Sequence, residues 1–413
     1  MKAFRNIIFT GLCSVLLCGT VFCTVADRLG VDFPDWMKVN PKISLLEGRQ
    51  YQTLPKVNKD SLMGGKFQKD FERYVNDLVP MRDNILLGNA AIQRLSINTA
   101  ASVFSYDASP TYFNSSHIYS KQDNAIVMIP LKESQLESEK LNAFSEAFNS
   151  FARTNSQYNY YFTMPPRGSA AEIKDLSNLV SGHVTAQSYS SFLESIAKTA
   201  TVVDTSCANK GEYFDNYYHT DHHWNMLGAH SAYQKIATAM GFTNLAQPSS
   251  DLIIYEEPDF WGALARNGLS TQSSPDRIID YRFDIPKASV WIDGKEKSME
   301  DLVHTEKYAN HKYSQKDFMN RYAEYFHGDM PQIVMHNQED KSKGSLLIIG
   351  DSFTNCFERL YLKHYSKVYV YDPRHAKISI SSFLQRYNND IDDILFCESY
   401  GTVIDDSVID NLK

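Results

Sequence analysis

A serine follows a buried-strand pattern in a position that could carry nucleophilic chemistry. Residues 345–349 form a largely apolar run, as expected for a strand buried on both faces. Gly350, Asp351 and Ser352 come next, before a predicted helix over 353–365. Such a serine would lie at the carboxyl end of a central strand, where open α/β sheets bind ligands, and the helix N–H groups could receive an oxyanion. The alternative is that Asp351 or Ser352 only caps the helix.

A base and a carboxylate for this serine occur together in Asp221-His222-His223-Trp224. A nucleophilic serine needs a base, and the base needs a carboxylate that orients it. In an extended segment, residues i and i+2 project to one side, which pairs Asp221 with His223 and turns His222 to the other face. We therefore predict a catalytic triad of Ser352, His223 and Asp221. We expect Trp224 to pack against the imidazole and to limit the access of water.

A metal site is the alternative for the same segment. His219, Asp221, His222 and His223 are all residue types that bind zinc. Adjacent histidines diverge, however, and no helical His-x-x-x-His frame with a glutamate base is apparent. We therefore favour the triad and predict that no metal or cofactor is needed.

The elements that would position these residues alternate between strand and helix from about residue 125, which indicates a parallel sheet. The segment from about 250 to 340 is rich in aromatic and charged residues, and we expect it to be an insertion with little regular structure. One further helix is predicted over 67–94. The predicted strands are 125–129, 158–164, 201–203, 345–349, 367–371 and 394–396, and the predicted helices are 133–154, 189–200, 225–240, 353–365 and 378–388.

The N-terminus predicts a membrane anchor. Lys2 and Arg5 precede an uncharged run over 7–26, and twenty helical residues span about the 30 Å of a bilayer core. Basic residues before the run favour an exported C-terminus. We predict an anchor over 1–26, a stalk over 27–65 and an α/β domain over 66–413 outside the cytoplasm. The alternative is a cleaved signal peptide, which would make the protein secreted.

The composition is that of a globular protein. The 413 residues are 43% hydrophobic and 22% charged, with a net charge of −8. These values exclude a disordered chain, and the absence of a sustained basic run argues against a nucleic-acid partner. Beyond the apolar run the cysteines are Cys207, Cys356 and Cys397, an odd number at irregular spacing, so a disulfide framework is not expected.

The histidine segment resembles the motif of the DHHW family of Gram-positive bacteria, and the likeness spans about residues 65–400. More distantly, the sequence resembles the alginate O-acetyltransferase type of SGNH-like enzyme, in which an Asp-x-His-Trp segment precedes the serine. That order is permuted relative to ordinary SGNH hydrolases. The segments that carry the resemblance are Asp221–Trp224, Gly228-Ala229, Asp259-Phe260-Trp261-Gly262, Gly350–Asn355, His364-Tyr365 and Tyr371-Asp372-Pro373-Arg374.

The resemblance implies a flavodoxin-like parallel sheet of the SGNH type, with the inserted region at about 250–340. It implies that Ser352 attacks an acyl donor and that the acyl group, acetyl in the relatives, passes to a hydroxyl of a cell-surface glycan. A membrane protein that donates the acyl group is an expected partner. Asn355, Arg374 and Trp224 are candidates for oxyanion or substrate contacts. The alternatives are a carbohydrate esterase and a non-catalytic glycan-binding or assembly factor.

Overall fold

The computed structural model describes most of the chain beyond residue 41. The described residues are 11, 14, 18–19, 22, 25–26, 29–32, 34, 42–79, 82–104, 111–112, 117–128, 136–166, 187–255, 259–271, 273–297, 299, 316–339, 344–387 and 390–413. Most of the predicted anchor at 7–26 and part of the predicted stalk lie outside these residues. Within them, no helix is both long and apolar enough to cross a membrane.

The chain divides into two compact units, Met1–Phe104 with Asn310–Asn320 and Ser105–Ala309 with Arg321–Lys413. In the first unit the helix predicted over 67–94 is two helices, and Pro80, which has no N–H to donate, falls between them in the sequence. The elements of this unit are strands Ile43–Ser44 (β1) and Arg49–Gln50 (β2), helices Lys59–Met63 (α1), Lys66–Asp77 (α2) and Arg82–Val103 (α3), and a 3₁₀ turn at Lys316–Phe318.

The second unit is an α/β body. Its strands are Thr111–Tyr112 (β3), His117–Ser120 (β4), Ala125–Met128 (β5), Asn159–Thr163 (β6), Thr201–Val202 (β7), Ile253–Ile254 (β8), Ile279–Asp280 (β9), Ala288–Ile292 (β10), Lys295–Lys297 (β11), Gln332–Asn337 (β12), Ser345–Gly350 (β13), Lys367–Tyr371 (β14) and Asp393–Cys397 (β15). Its α-helices are Ser138–Thr154 (α4), Gln187–Ile196 (α5), Lys210–Asn216 (α6), Met226–Ala239 (α7), Ala263–Asn267 (α8), Ile380–Tyr387 (α9), Tyr400–Val403 (α10) and Asp406–Asn411 (α11).

The central sheet has the strand order β11-β10-β12-β14-β13-β15-β6-β7. The five strands from β14 to β7 are parallel, which confirms the predicted parallel α/β sheet. Strands β12, β10 and β11 continue the sheet in antiparallel pairing. The segment 250–340 is therefore more regular than we expected, because it supplies β8, β9, β10, β11 and the whole of β12, as well as helix α8. Strands β10 and β12 mix buried with half-buried residues, and β11 is exposed throughout, so all three lack the continuous apolar run of a central strand.

Strand β13 divides two hydrophobic cores. All six of its residues are buried, as predicted for a strand covered on both faces. Leu346 and Ile348 belong to the core that contains Trp224 and Phe353, whereas Leu347 and Ile349 belong to the core beneath α4. The end of β13 is therefore held from both sides, and the residues that follow it start from a fixed position.

The segment after β13 differs from the predicted helix over 353–365. It consists of two 3₁₀ helices, Ser352–Cys356 and Glu358–Lys363, separated at Phe357. Every residue from Phe353 to Leu362 is buried, so the segment has no solvent-facing stripe of the kind that a surface α-helix carries.

Candidate active site

The turn that presents the serine depends on close backbone packing at Gly350. A Cβ atom at this position would lie 2.4 Å from Thr354 Cγ2 and 2.7 Å from the Cys397 carbonyl oxygen. The glycine is thus required by the approach of neighbouring strand β15, rather than by a left-handed backbone. Ser352 follows two residues later, at the carboxyl edge of the sheet, and is half-buried.

Asp351 takes the capping role that we considered for either residue. One carboxylate oxygen accepts a hydrogen bond from Phe353 N at 3.1 Å, and the other accepts from Ser399 N at 2.8 Å and Thr402 Oγ1 at 2.7 Å. Asp351 therefore ties the turn after β13 to the loop after β15. The Ser352 hydroxyl is left for a different contact.

That contact is His223. The Ser352 Oγ lies 2.7 Å from His223 Nε2, and His223 Nδ1 lies 2.6 Å from Asp221 Oδ1. Asp221 and His223 are 2% and 6% exposed, respectively, so water is largely excluded from the bond between them. This arrangement favours the neutral tautomer that carries its proton on Nδ1, with the Nε2 lone pair directed at the serine hydroxyl. The structure thus brings together the three side chains that the sequence singled out.

The segment that carries the histidine bends instead of running straight. Tyr217 and Trp224 form an antiparallel bridge, and Tyr218 N donates to the His223 carbonyl oxygen at 3.2 Å. The expectation that His222 faces away is therefore wrong. The ring centroids of His222 and His223 lie 3.9 Å apart, and His222 Nδ1 is 3.4 Å from Asp221 Oδ1.

The second oxygen of Asp221 is held by the first residue of α8, and Gly262 precedes it. Ala263 N donates to Asp221 Oδ2 at 2.7 Å, and Gly262 N donates to Thr220 Oγ1 at 2.9 Å. A Cβ at Gly262 would lie only 2.3 Å from Asp221 Cβ, so this position accepts only glycine without displacement. Burial by itself raises the pKa of Asp221, but interactions with the two adjacent histidines and with Arg266 outweigh it and lower the pKa below the ordinary range. Asp221 is therefore a stable carboxylate.

Tyr322 covers one face of the imidazole, a contact that the sequence did not reveal. Its ring stacks on His223 with 3.8 Å between centroids and 8° between planes. Phe353 packs on the same imidazole at 4.8 Å. The Tyr322 hydroxyl lies 3.1 Å from Cys356 Sγ, and the tyrosine is 1% exposed. The imidazole is therefore fixed by its rings as well as by its hydrogen bonds.

Trp224 contacts the segment that follows Ser352 and helps to position it. Its Nε1 donates to the Phe353 carbonyl oxygen at 2.9 Å, and its ring meets the Phe353 ring edge-on at 5.1 Å. The indole is 1% exposed, so it cannot offer a surface to a substrate. We expected Trp224 to pack on the imidazole; it instead joins the histidine segment to the serine segment.

Asn355 and Arg374 have partners other than the serine. Asn355 Nδ2 donates to Asp329 Oδ1 at 2.9 Å, and Arg374 Nη2 lies 3.4 Å from Asp329 Oδ2. Arg374 also makes a bidentate pair with Asp372, with its Nε at 3.0 Å and its Nη2 at 2.6 Å from the carboxylate oxygens. The Asn355 amide and the Arg374 guanidinium thus both donate to carboxylates near the carboxyl edge of the sheet.

A buried glutamate lies near Asp351. Glu398 follows β15 and is 0% exposed, and neither of its carboxyl oxygens has a hydrogen-bond partner in the described part of the chain. Burial raises the pKa of Glu398 well above its ordinary value, and the negative charges of Asp351 and Asp372 raise it further. The protonated form of Glu398 is therefore favoured more strongly than in an exposed glutamate.

The metal alternative can be judged from the same distances. Asp221, His222 and His223 offer ligand atoms within 4.8 Å of one another. Both ring nitrogens of His223 already lie at hydrogen-bond distance from Asp221 and Ser352. A metal ion on His223 would need one of these nitrogens, so the observed geometry fits the triad better than a metal centre.

Comparisons with known proteins place this geometry in context. Residues 125–252, which include Asp221 and His223 but not Ser352, match a family described as the SGNH hydrolase-like domain of acetyltransferase AlgX. No curated protein matches the chain in sequence.

Solved structures share the fold. The structure of Bacillus cereus PatB1 with a sulfonyl adduct superposes with a TM-score of 0.53 at 18% identity and covers 71% of this chain and 96% of PatB1. A DHHW family protein from Eubacterium siraeum gives a TM-score of 0.52 at 16% identity and covers 70% of this chain and 95% of that protein. The chain therefore has the predicted SGNH hydrolase-like fold, and it resembles the DHHW family and the AlgX type of acetyltransferase.

Proposed function

We propose that this protein is an extracytoplasmic serine acyltransferase that passes an acyl group, acetyl in this proposal, to a hydroxyl of a cell-surface glycan. The observation that carries the proposal is the continuous hydrogen-bonded row from Asp221 through His223 to Ser352. The match over 125–252 to an acetyltransferase domain supports the acetyl group. The glycan acceptor is what the resemblance to the alginate O-acetyltransferase type implies. The sulfonyl adduct described for the similarly folded PatB1 supports a reactive nucleophile on this fold.

In the first half of the reaction, Ser352 Oγ attacks the carbonyl carbon of the acyl donor and transfers its proton to His223 Nε2. Asp221, kept ionised by its surroundings, stabilises the resulting imidazolium. The tetrahedral oxyanion would be held by the backbone N–H of Ser352 and neighbouring donors. The intermediate collapses, the donor's leaving group takes the proton from His223, and an acyl-serine remains.

In the second half, a glycan hydroxyl gives its proton to His223 Nε2 and attacks the acyl-serine. A second tetrahedral intermediate collapses, Ser352 Oγ recovers the proton, and the O-acylated glycan leaves. Water in place of the glycan hydroxyl would make the same site an esterase. Neither half needs a redox step, and Ser352, His223 and Asp221 supply the nucleophile, the base and the carboxylate that orients the base.

The location outside the cytoplasm rests on the sequence of residues 1–26. Lys2 and Arg5 before the apolar run favour an N-terminus inside and a body outside. An anchored enzyme would remain close to a fixed polymeric substrate and to a membrane protein that supplies acyl groups. A reporter fused after Lys413 should be active only outside the cytoplasm, and the mature protein should stay with the membrane fraction. A soluble mature chain that starts at Asp27 would show that the run is a cleaved signal peptide.

The chemistry can be tested on purified protein with 4-nitrophenyl acetate and a sulfonyl fluoride. The unchanged protein should release 4-nitrophenol and become labelled at Ser352. Ser352→Ala and His223→Ala should each lower the rate by about 10⁴-fold, and the double variant should be little worse, because these residues act as a unit. Ser382→Ala, which changes an exposed serine on α9, is the matched control and should keep full activity.

The remaining outcomes separate the alternatives. Transfer of acetyl to an added oligosaccharide, beyond hydrolysis, would identify a transferase, and hydrolysis alone an esterase. Full activity in Ser352→Ala together with loss of activity in a chelator would refute the serine mechanism and favour a metal site. No turnover and no label at Ser352 would leave the non-catalytic glycan-binding alternative.

A further inference from the structure

A cavity separate from the candidate active site lies at the opposite edge of the central sheet from Ser352. It has a volume of about 990 Å³, and its lining includes Ala288 and Gln338. Ala288 pairs with Asn337 at the end of β12, next to the residue that pairs with Lys367 at the start of β14. The cavity is thus at the amino edge of the parallel strands, whereas the serine follows their carboxyl ends. Its size is that of a site for a small ligand or for one segment of a polymer.

The charge of the cavity is opposite to that of the protein. Its lining contains Arg282, Lys287, Lys297 and Arg359 but only two acidic residues, Asp280 and Glu296. The chain as a whole carries a net charge of −8. The first three cations are exposed, so they can reach a ligand from the solvent side. A locally positive cavity on an acidic protein favours an anionic ligand.

The fourth cation, Arg359, lines the cavity but is buried and only partly hydrogen-bonded. Arg359 is 0% exposed, and its Nη2 donates to Asp280 Oδ1 at 2.7 Å. Its Nε and Nη1 have no hydrogen-bond partner in the described part of the chain. A buried guanidinium normally has its donors satisfied. These two nitrogens are therefore hydrogen-bond donors without an acceptor among the described residues, on a side chain that lines the cavity.

Aromatic rings complete the lining. Tyr255, Tyr281 and Phe283 are all half-buried, and the rings of Tyr281 and Phe283 meet edge-on with 5.9 Å between centroids. The Arg359 guanidinium lies 5.8 Å from the centre of the Phe283 ring. Half-buried aromatic rings beside cations suit a ligand that has both apolar C–H faces and a negative charge, as an anionic sugar does.

We propose that this cavity is a secondary binding site for an anionic sugar unit, carrying a carboxylate or a phosphate, of the glycan that is acylated at Ser352. The proposal rests on the proposed function only for the identity of the glycan as acceptor. A polymer bound at the amino edge stays near the protein while another of its units reaches the carboxyl edge. Such tethering raises the effective concentration of acceptor hydroxyls without any new contact at the serine.

Binding can be measured by calorimetry on the full chain in detergent, with three probes. Hexagalacturonate offers carboxylates, poly(glycerol phosphate) offers phosphates, and maltohexaose is a neutral oligosaccharide. At least one anionic probe should bind, about tenfold or more tighter than maltohexaose, and its affinity should fall as salt is raised. The probe that binds identifies the anionic group. Binding of neither anionic probe, or equal binding of maltohexaose, would overturn the proposal.

Variants assign the binding to this cavity. The double change Lys287→Gln and Lys297→Gln should weaken the anionic probe about tenfold, given the worth of exposed charge pairs. The double change Lys121→Gln and Lys198→Gln alters two exposed lysines that are not in the lining and should leave the affinity unchanged. Equal weakening by both pairs, or none by the first, would contradict the site. Ser352→Ala should bind the probe normally, so a failure of the proposed chemistry would not be mistaken for a failure of this site.

Discussion

Replacing Gly262 by alanine should disable the site without touching any of its three reactive side chains. The new Cβ would lie 2.3 Å from Asp221 Cβ and 2.4 Å from Asp221 Oδ2, whereas ordinary contacts begin at 3.4 Å. The two Cβ atoms must therefore separate by about 1.1 Å, and this degree of overpacking costs about 1–3 kcal/mol of stability. If Asp221 takes up the shift, its carboxylate leaves the position from which it makes the 2.6 Å hydrogen bond to His223, and a displacement of about an ångström is enough to break such a bond.

We expect the loss of this bond to lower kcat for 4-nitrophenyl acetate by about 100-fold, the usual effect of misplacing a reactive group by about an ångström. Gly88→Ala is the matched control, because a Cβ at Gly88 meets nothing within 4 Å. It should leave kcat unchanged and should slightly raise the melting temperature, because alanine is the better helix former.

A double-mutant cycle separates displacement of Asp221 from general damage. In an Asp221→Asn background, Gly262→Ala should cost little further activity, because the carboxylate that it displaces is already gone. Activity of Gly262→Ala within about twofold of the unchanged protein would refute the reasoning. Additive losses in the cycle would also refute it, since they would mean that Gly262 acts through something other than Asp221.

Three further predictions address neighbouring residues. Tyr322→Phe keeps the ring on His223 and should change kcat by no more than about threefold. Tyr322→Leu should lower kcat about tenfold with little change in KM, because the imidazole loses the ring that stacks on it. Equal kcat in both variants would contradict a role for the ring. Glu398→Gln should raise the melting temperature more at pH 8 than at pH 5. The pKa of Glu398 is raised in the folded state, so the unchanged protein loses stability as pH rises above the ordinary glutamate pKa. The glutamine variant has no group to titrate at this position and does not show this loss. A constant difference between pH 5 and 8 would show that Glu398 does not titrate in this way. His222→Ala should lose much less activity than His223→Ala, because the hydrogen bond to Ser352 belongs to His223; comparable losses in both would point to a second essential histidine.

The sequence was sufficient for the parts of the fold and site that local patterns encode. The apolar run of β13 predicts a strand buried on both faces, and the structure has it. The residue types at Asp221, His223 and Ser352 single out three side chains that the structure places in a row. Asp221 Oδ1 lies 2.6 Å from His223 Nδ1, and His223 Nε2 lies 2.7 Å from Ser352 Oγ. Their catalytic role stays a prediction until the variants are measured.

Other features depend on distant parts of the chain, and no local pattern could reveal them. Tyr322 stacks on His223 although about 100 residues separate them in the sequence, and the neighbours of Tyr322 in the sequence carry no periodic signal. The side to which His222 points was predicted wrongly because alternation applies to straight strands, and residues 219–223 bend. Strands β10 and β11 were missed because they are short and only partly buried, so that pairing with β12 rather than their own composition decides their structure.

The order of strands in the central sheet has a consequence for how the protein folds as it is made. Strand β15 pairs with both β13 and β6, and the pairing of Asp393 with Asn159 joins residues far apart in the chain. Strand β6 therefore has no partner on that side until residues 393–397 have been synthesised. Pairing over such separations is slow, and the waiting chain exposes apolar segments. We expect the sheet to close only after β15 has been synthesised, so truncation before β15 should give a chain that aggregates instead of a smaller folded body.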